Sequence, residues 1–404
     1  MSAVPIDLFE LPVGRISAVL PTPSPIHVRD SEVTRRLRGH SWDFSDSKSS
    51  RQSLHAIHPY PAKFIPEIPR ALIAEFPPTD GSIVLDPFCG SGTTLVEAQR
   101  AGFEAVGVDL NPIACRISRV KTGPALHSLG SAALRCRDVA AARSGEVPCD
   151  IPNLSHWFRE DISETISGLK AAIHSEAPSD CRLALELALS SILVRVSNQD
   201  SDTRYAAVEK NISRKLVLDL FLEAAGRIEA ALRQKPESSA QVRVMESDIL
   251  ALKHDTIGRR VGLVVTSPPY PNAYEYWLYH KYRMWWLGHD ALRVREREIG
   301  ARAHFFGGGA KAGDFQQQMA GVFRLLDQVC TDDAAVCFVV GDSKIHGAIV
   351  DNASGLKEAA AASGFVTAGH VMRNMRASKK SFNLAHARIR QEHILVFKRQ
   401  HATA

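Results

Sequence analysis

The sequence predicts an α/β fold: a doubly wound sheet with a helical insertion after its second strand. Three observations carry this. The short apolar runs 82-SIVLD-86 and 104-EAVGVD-109 read as buried strands, each ending in an acid and each followed by helical spacing. A glycine-bearing turn, 87-PFCGSG-92, joins the first strand to its helix. The next strand of this kind, 241-QVRVMES-247, comes only after a long stretch, 123–240, whose later part is strongly helical. Strand, glycine turn, helix and acid-ended strand is the opening of a Rossmann-like sheet.

Residues 1–55 lack periodicity and are rich in Pro, Ser and Asp, so an irregular N-terminal arm is expected, with Trp42 and Phe44 pinned to the core. Phe64, Ile68, Leu72, Ile73 and Phe76 recur at helical spacing and predict a helix over 63–76, with Pro66 and Pro69 disturbing its first turns. Further helices are expected from Thr93 to Ala101 and from Pro112 onward. Within 123–240, the segments 181–197 and 213–235 are helical, and Pro152 and Pro178 mark breaks. The sheet resumes at 241–247 and continues through 261-VGLVVTS-267, 334-AAVCFVVG-341, 363–372 and 393-HILVFKR-399. The organisation is thus an arm (1–55), a first part of the sheet domain (56–122), the insertion (123–240) and a second part (241–404). No internal repeat is evident.

Composition closes several doors. The 404 residues are 45% hydrophobic and 23% charged, an ordinary globular balance for a chain able to bury a full core. With 26 Gly and 21 Pro, the chain is neither collagen-like nor a disordered polymer. The N-terminus shows no basic segment followed by an apolar block, and no apolar run approaches the roughly 18 residues of a membrane span. A soluble, cytoplasmic protein is expected. The seven cysteines are scattered without a CxxC pair, so neither a metal site nor a disulfide framework is expected.

The net charge of +5 is mild but uneven. Residues 141–240 carry 12 Lys or Arg against 15 Asp or Glu, whereas 241–404 carry 22 against 15. The run from Val371 to Gln391 holds Arg373, Arg376, Lys379, Lys380, Arg388 and Arg390 with no acid. Such a run attracts polyanions, or else is simply a solvated face.

Three constellations carry chemistry. In 86-DPFCGSGTTLVEA-98, Gly90 and Gly92 allow the backbone to turn tightly against a ligand. No GKT or GKS follows, which argues against a triphosphate cradle. Asp109, at the tip of the second strand, is placed to accept hydrogen bonds from ribose hydroxyls. Nicotinamide cofactors use the same arrangement, so this acid does not name the cofactor. Asp248 ends the third strand and suits the exocyclic amine of an adenine, or a helix N-cap ahead of Ile249 and Leu250. The third is 266-TSPPYPNAYEY-276. Two prolines end the strand and leave rigid carbonyls beside a tyrosine, suited to a planar, amine-bearing ring. Cys89 reads as a small space-filler.

DPFCGSGT and TSPPY, in that order, resemble the cofactor and catalytic motifs of the DNA amino-methyltransferases, above all the branch acting on the N4 amine of cytosine. The adenine-N6 branch usually has an acid where this chain has Ser267. The segment 58-HPYPAKFIPEIPR-70 resembles the family motif that closes over the methionine end of the cofactor. The resemblance covers 55–120 and 240–400 and implies a class I methyltransferase sheet in non-permuted order, using S-adenosylmethionine. It implies that Asp86, Phe88, Gly90 and Gly92 shape the cofactor pocket. Asp109 then takes the ribose, Asp248 the adenine edge, and Tyr60 and Lys63 the cofactor carboxylate. Ser267, Pro268, Pro269 and Tyr270 would hold the target base, with Tyr270 stacking on it.

The implied reaction is direct in-line methyl transfer to a cytosine flipped out of double-stranded DNA, without a metal, in a restriction-modification setting that can include companion nuclease or defence proteins. The phosphate-binding surface is then expected on 373–390, on the same side of the sheet as Ser267, helped by Arg293, Arg295, Arg297 and Arg302. Sequence reading falls to the insertion or to 287–315. Adenine N6, an RNA base, or a nucleic-acid-binding module without catalysis remain alternatives. A dehydrogenase is disfavoured, because DPFCGSG is not GxGxxG. The Pro148–Cys149 pair resembles the nucleophile dipeptide of cytosine-C5 enzymes but lies in a polar stretch far from any strand end. Tyr274 or Tyr276 could wall the base pocket, while Leu278, Tyr282 and Trp285 would share one core-facing helix side.

Overall fold

The computed structural model describes residues 31–44, 53–148, 150–202, 204–272, 275–301, 304, 312–345, 348–374 and 391–400. Part of the expected arm is helical. Ser31 caps α1 (Glu32–Arg38), its hydroxyl accepting from the Thr34 N–H at 3.0 Å. The Trp42 indole N–H donates to the Leu37 carbonyl at 2.7 Å, and Phe44 packs beside it. A 3-10 turn at Ser53–Ala56 leads to α2 (Glu67–Glu75), which starts after Pro66 and keeps Pro69 in its first turn, where a missing N–H breaks no helical bond. Next come β1 (Ile83–Asp86), α3 (Thr93–Arg100), β2 (Ala105–Asp109) and α4 (Pro112–Thr122), whose Pro112 follows the capping Asn111.

The insertion consists of α5 (Leu129–Ala142), α6 (Leu154–Trp157), α7 (Glu160–Glu176), α8 (Ser179–Ile192), an antiparallel hairpin of β3 (Gln199–Ser201) and β4 (Arg204–Ala207), and α9 (Arg214–Arg233). The hairpin strands are too short to show periodicity, so no sequence pattern marks them. Ile166, Leu185, Leu189 and Phe221 centre a core of the insertion's own. That core continues through Ile117 of α4 to Trp277, Tyr282, Met284 and Trp286 of a later helix, α11 (Tyr276–Trp286).

Between the insertion and α11 lie β5 (Val242–Glu246), α10 (His254–Ile257) and β6 (Val261–Thr266). After it come α12 (Ala291–Arg297), α13 (Ala312–Val329), β7 (Cys330–Gly341), the small hairpin β8 (Ser343–Ile345) and β9 (Ala348–Val350), α14 (Asn352–Ala361), β10 (Phe365–Asn374) and β11 (Gln391–Arg399). The seven-stranded sheet runs β10-β11-β7-β6-β1-β2-β5. Its β5, β2, β1, β6 and β7 are parallel, and β11 lies antiparallel between β7 and β10. This is the expected Rossmann-like sheet. Every residue of β1 and β6 is buried, as befits parallel strands covered on both faces. One face packs on α13 and α14 through Phe323, Phe338, Phe365 and Phe397. The other packs on α1, α2 and α3 through Leu37, Leu72 and Leu95.

From β1 the chain moves first to β2 on one side, and only later sets β6 on the other. A crevice therefore opens at the carboxyl ends of β1 and β6. On the far side of the sheet one expectation fails. Strand β10 extends to Asn374, and Arg373, facing inward, is only 5% exposed, with its Nε 3.6 Å from Glu392. Arg373 is therefore not a surface contact for DNA. Arg376, Lys379, Lys380, Arg388 and Arg390 lie outside the described residues, as do Arg302, Tyr274 and Cys149. Among the described residues no helix is long and apolar enough to cross a membrane.

Candidate active site

The crevice is built on backbone that only glycine adopts without strain. Gly90 and Gly92 have φ of +47° and +76°. A Cβ on Gly92 would come within 2.6 Å of the Ser118 hydroxyl, and one on Gly90 within 3.1 Å of the Tyr60 hydroxyl. The turn is held from behind. Ser118 donates to the Gly90 carbonyl at 2.8 Å, and the fully buried Lys121 amine donates to the Ser91 carbonyl at 2.7 Å. Cys89 is buried beneath the turn and burial pushes its thiol well up, so it fills space as a neutral group.

Asp86 joins the two strand ends that flank the crevice. Its carboxylate accepts from the Thr266 hydroxyl, the last residue of β6, at 2.6 Å, and from the Phe88 N–H at 3.1 Å. Burial raises its pKa to about 6 against the pull of these bonds. Asp109, at the end of β2, accepts from the Gly90 N–H and the Asn111 N–H, both at 2.8 Å. Burial raises it to about 6 as well. Asp248 accepts from the Leu250 N–H at 3.0 Å as a cap, and it also lines the crevice.

Together these elements enclose a cleft of about 930 Å³, partly open to solvent. Its walls include Tyr60, Lys63, Asp86, Phe88, Gly90, Asp109 and Asp248 from the cofactor motifs, and Ser267 and Pro269 from the catalytic turn. Gly92 supports the turn from outside the wall, and Pro268 does not line the cleft. The Lys63 amine is partly engaged, donating to the His55 and His58 carbonyls at 2.8 and 2.9 Å, and burial lowers its pKa to about 8. The Tyr270 ring packs toward the α13 side of the sheet and does not line the cleft. Its hydroxyl donates to Glu392 at 3.1 Å and lies 3.4 Å from the Ser267 hydroxyl.

Sequence reasoning passed over Glu298. This buried carboxylate lines the cleft and accepts from the Tyr276 and Trp277 N–H groups at 2.8 and 2.7 Å, capping α11 from 21 residues away. Burial raises its pKa to about 8, and those two bonds oppose the rise. The capped helix presents Tyr276, whose ring lies against Tyr60 at 5.7 Å in the cleft wall. Arg297, beside Glu298, lies exposed at the cleft mouth. Four carboxylates (Asp86, Asp109, Asp248 and Glu298) thus face two cations, Lys63 and Arg297.

The model of the DNA methylase family, the N6- and N4-type amino-methyltransferases, matches residues 22–120, which contain the glycine turn and Asp109. Similarity extends further along two Type II methyltransferases, M.MvaI of Kocuria varians and M.BsoBI of Geobacillus stearothermophilus. The first is 25% identical over 249 residues, 56% of this chain and 55% of that protein. The second is 25% identical over 282 residues, 61% of this chain and 55% of that protein. Over residues 22–120 the chain is similar to the N6/N4 DNA methylase family. It spans about half the length of these two relatives. Among solved structures, TrmN from Thermus thermophilus matches 83% of this chain and 49% of its own, at 10% identity and a TM-score of 0.35. The rRNA methyltransferase aviRa from Streptomyces viridochromogenes matches 87% of this chain and 92% of its own, at 13% identity and a TM-score of 0.34.

The cofactor of this family is S-adenosylmethionine, and the residues present fit it. The glycine backbone at Gly90 leaves room that a Cβ would fill. The two oxygens of Asp109 suit a ribose diol, and an acid-rich wall suits a ligand bearing a sulfonium and an ammonium.

Proposed function

We propose that the chain transfers a methyl group from S-adenosylmethionine to the exocyclic N4 amine of cytosine in DNA, at a specific site, as part of a restriction-modification pair. One observation carries the reading. A single cleft holds the glycine turn and Asp109 on one wall and Ser267 with Pro269 on the other, and the family resemblance sets this serine where the adenine-N6 branch usually has an acid. The names of the similar proteins, Type II methyltransferases, favour the same setting.

Bound there, S-adenosylmethionine supplies an electrophilic methyl carbon. The chain's own residues place the acceptor. An exocyclic amine is a weak nucleophile because its lone pair is delocalised into the ring. Accepting an N–H hydrogen on the Ser267 hydroxyl oxygen favours a more pyramidal nitrogen, with the Pro268 carbonyl joining only if the turn shifts from the position seen here, and orientation contributes the rest. A base inside a duplex cannot reach such a cleft, so flipping at a cost of a few kcal/mol is part of the proposal. The ring contact comes from Tyr276 in the wall, with Tyr270 joining only if its ring turns from the position seen here. Arg297 at the mouth is placed to meet a flanking phosphate.

The test is methyl transfer from labelled cofactor to DNA, followed by nuclease digestion and identification of the modified nucleoside. N4-methylcytosine is expected. N6-methyladenine alone would overturn the base assignment, and label only in RNA would overturn the substrate class.

A further inference from the structure

Glu392 is the second residue of β11, opposite Arg373 of β10 and Gly341 of β7, at the same edge of the sheet as Ser267. The Tyr270 hydroxyl, 3.1 Å from its Oε1, has one hydrogen to give, and an ionised carboxylate can only accept. With that hydrogen committed, the Tyr270 oxygen can interact with Ser267, 3.4 Å away, only as an acceptor. The single Ser267 hydrogen then points toward Tyr270, and its lone pairs are left for the cleft. Without this constraint a serine hydroxyl rotates freely and can present its hydrogen to a substrate N–H, donor against donor. Arg373 completes the arrangement. Its guanidinium is buried, its Nε and Nη1 have no hydrogen-bond partner among the described residues, and its Nε sits 3.6 Å from Glu392 Oε2. Burial raises the Glu392 pKa, and the Arg373 charge and the Tyr270 hydrogen bond oppose that rise by favouring the ionised carboxylate.

We infer that Glu392 is a positioning residue for methyl transfer: acting through Tyr270, it fixes the Ser267 hydroxyl so that a lone pair faces the substrate amine. The inference rests on the proposed role of Ser267 as amine acceptor. It also gives the tyrosine of the PPY turn a task that does not require its ring to enter the cleft.

The test is a double-mutant cycle of Glu392→Gln and Tyr270→Phe, read as the single-turnover rate of methyl transfer to DNA and as cofactor affinity. Replacing the charged acceptor by a neutral amide should slow transfer about tenfold and leave cofactor affinity unchanged, because a charge-assisted bond is about twice as strong as a neutral one. In the Tyr270→Phe background the Glu392→Gln change should have no further effect. Additive losses, or a wild-type rate in Glu392→Gln, would overturn the inference. Tyrosine labelled with carbon-13 at Cζ gives a readout independent of turnover. The Tyr270 resonance, identified by its absence in Tyr270→Phe, should move in Glu392→Gln, and an unmoved resonance would overturn the link. A wild-type chain that methylates adenine instead removes the cytosine assignment while the cycle still reads the relay. A wild-type chain that methylates nothing removes the proposed function itself, and the relay with it.

Discussion

Replacing Asp109 by Asn separates cofactor binding from fold stability. The carboxylate accepts two backbone N–H groups, from Gly90 and Asn111, one on each oxygen. An amide offers one acceptor, so one of these N–H groups faces an NH₂ instead, at about 1–3 kcal/mol for a buried donor left unpaired. Against this, the raised pKa of about 6, compared with 3.8, means that ionised Asp109 already costs the fold up to about 3 kcal/mol, less whatever water in the cleft screens. The two effects oppose, and the ligand-free variant should match the wild type within about 2 kcal/mol in denaturant unfolding at pH 7.5. Cofactor binding has no such compensation. Losing a charged partner for the ribose hydroxyls removes about 1.5–3 kcal/mol, so the Kd for S-adenosylmethionine should rise about 10- to 100-fold by calorimetry. The same carboxylate sets a pH dependence. Because its pKa is raised, its share of fold stability is greatest below pH 4 and falls as the pH rises through about 6, whereas binding needs the ionised form and tightens over that window. The asparagine variant should lose that part of the pH dependence. An unchanged Kd would refute the placement of the ribose on Asp109.

Three further outcomes are expected. Gly92→Ala, at φ +76° and 2.6 Å from the Ser118 hydroxyl, should lower stability by more than about 1 kcal/mol, and an unchanged denaturation midpoint would show that the turn can relax. Glu298→Gln leaves one of the two α11 N–H groups without an acceptor and should cost about 1 kcal/mol near pH 4, where the wild type carries no ionisation penalty. With its pKa raised to about 8, Glu298 makes the wild type lose stability as the pH climbs from 4.5 to 8, so melting curves of the variant should show a shallower decline, and equal slopes would contradict the burial argument. Neutralising Lys379 and Lys380 should weaken binding to all DNA sequences alike and reduce the salt slope by about one unit for each phosphate no longer neutralised, whereas Arg373→Met should leave that slope alone and cost about 3 kcal/mol of stability. A salt slope that moved only with Arg373 would reverse this assignment.

The sheet was readable because its strands announce their ends. Asp86 and Asp109 each end an apolar run, Asp248 follows the alternating strand 242–246, and the glycines between β1 and α3 have no other reason to sit together. What escaped was tertiary. Glu298 works only because 21 residues of intervening chain fold back onto α11, whose preceding residue, Glu275, makes no capping bond with its side chain. Such a helix start, with no side-chain cap of its own, is the one local signal of an acid arriving from elsewhere. Glu392 reads in sequence as an ordinary strand residue, since nothing local shows that Tyr270 reaches it. Arg373 reads as a surface charge only when the basic run is taken to start at Val371. The alternation of β10 continues to Asn374 and turns the third residue of that run inward. The hairpin β3–β4 is hidden by its brevity.

The shared core of the insertion and α11 bears on how the protein can be built. Residues 123–240 look like a module that could be cut out and replaced by a short loop between α4 and β5. Yet Trp277, Tyr282, Met284 and Trp286, directly downstream of the catalytic turn, are buried against the helices of that segment. Excision would strip those side chains of their packing and release the helix that positions Tyr276. A growing chain meets the same dependency in time. With β1 and β2 already synthesised, their partners β5 and β6 arrive only after the whole insertion has emerged, so the helical segment has the opportunity to fold first and serve as the surface on which the catalytic half assembles.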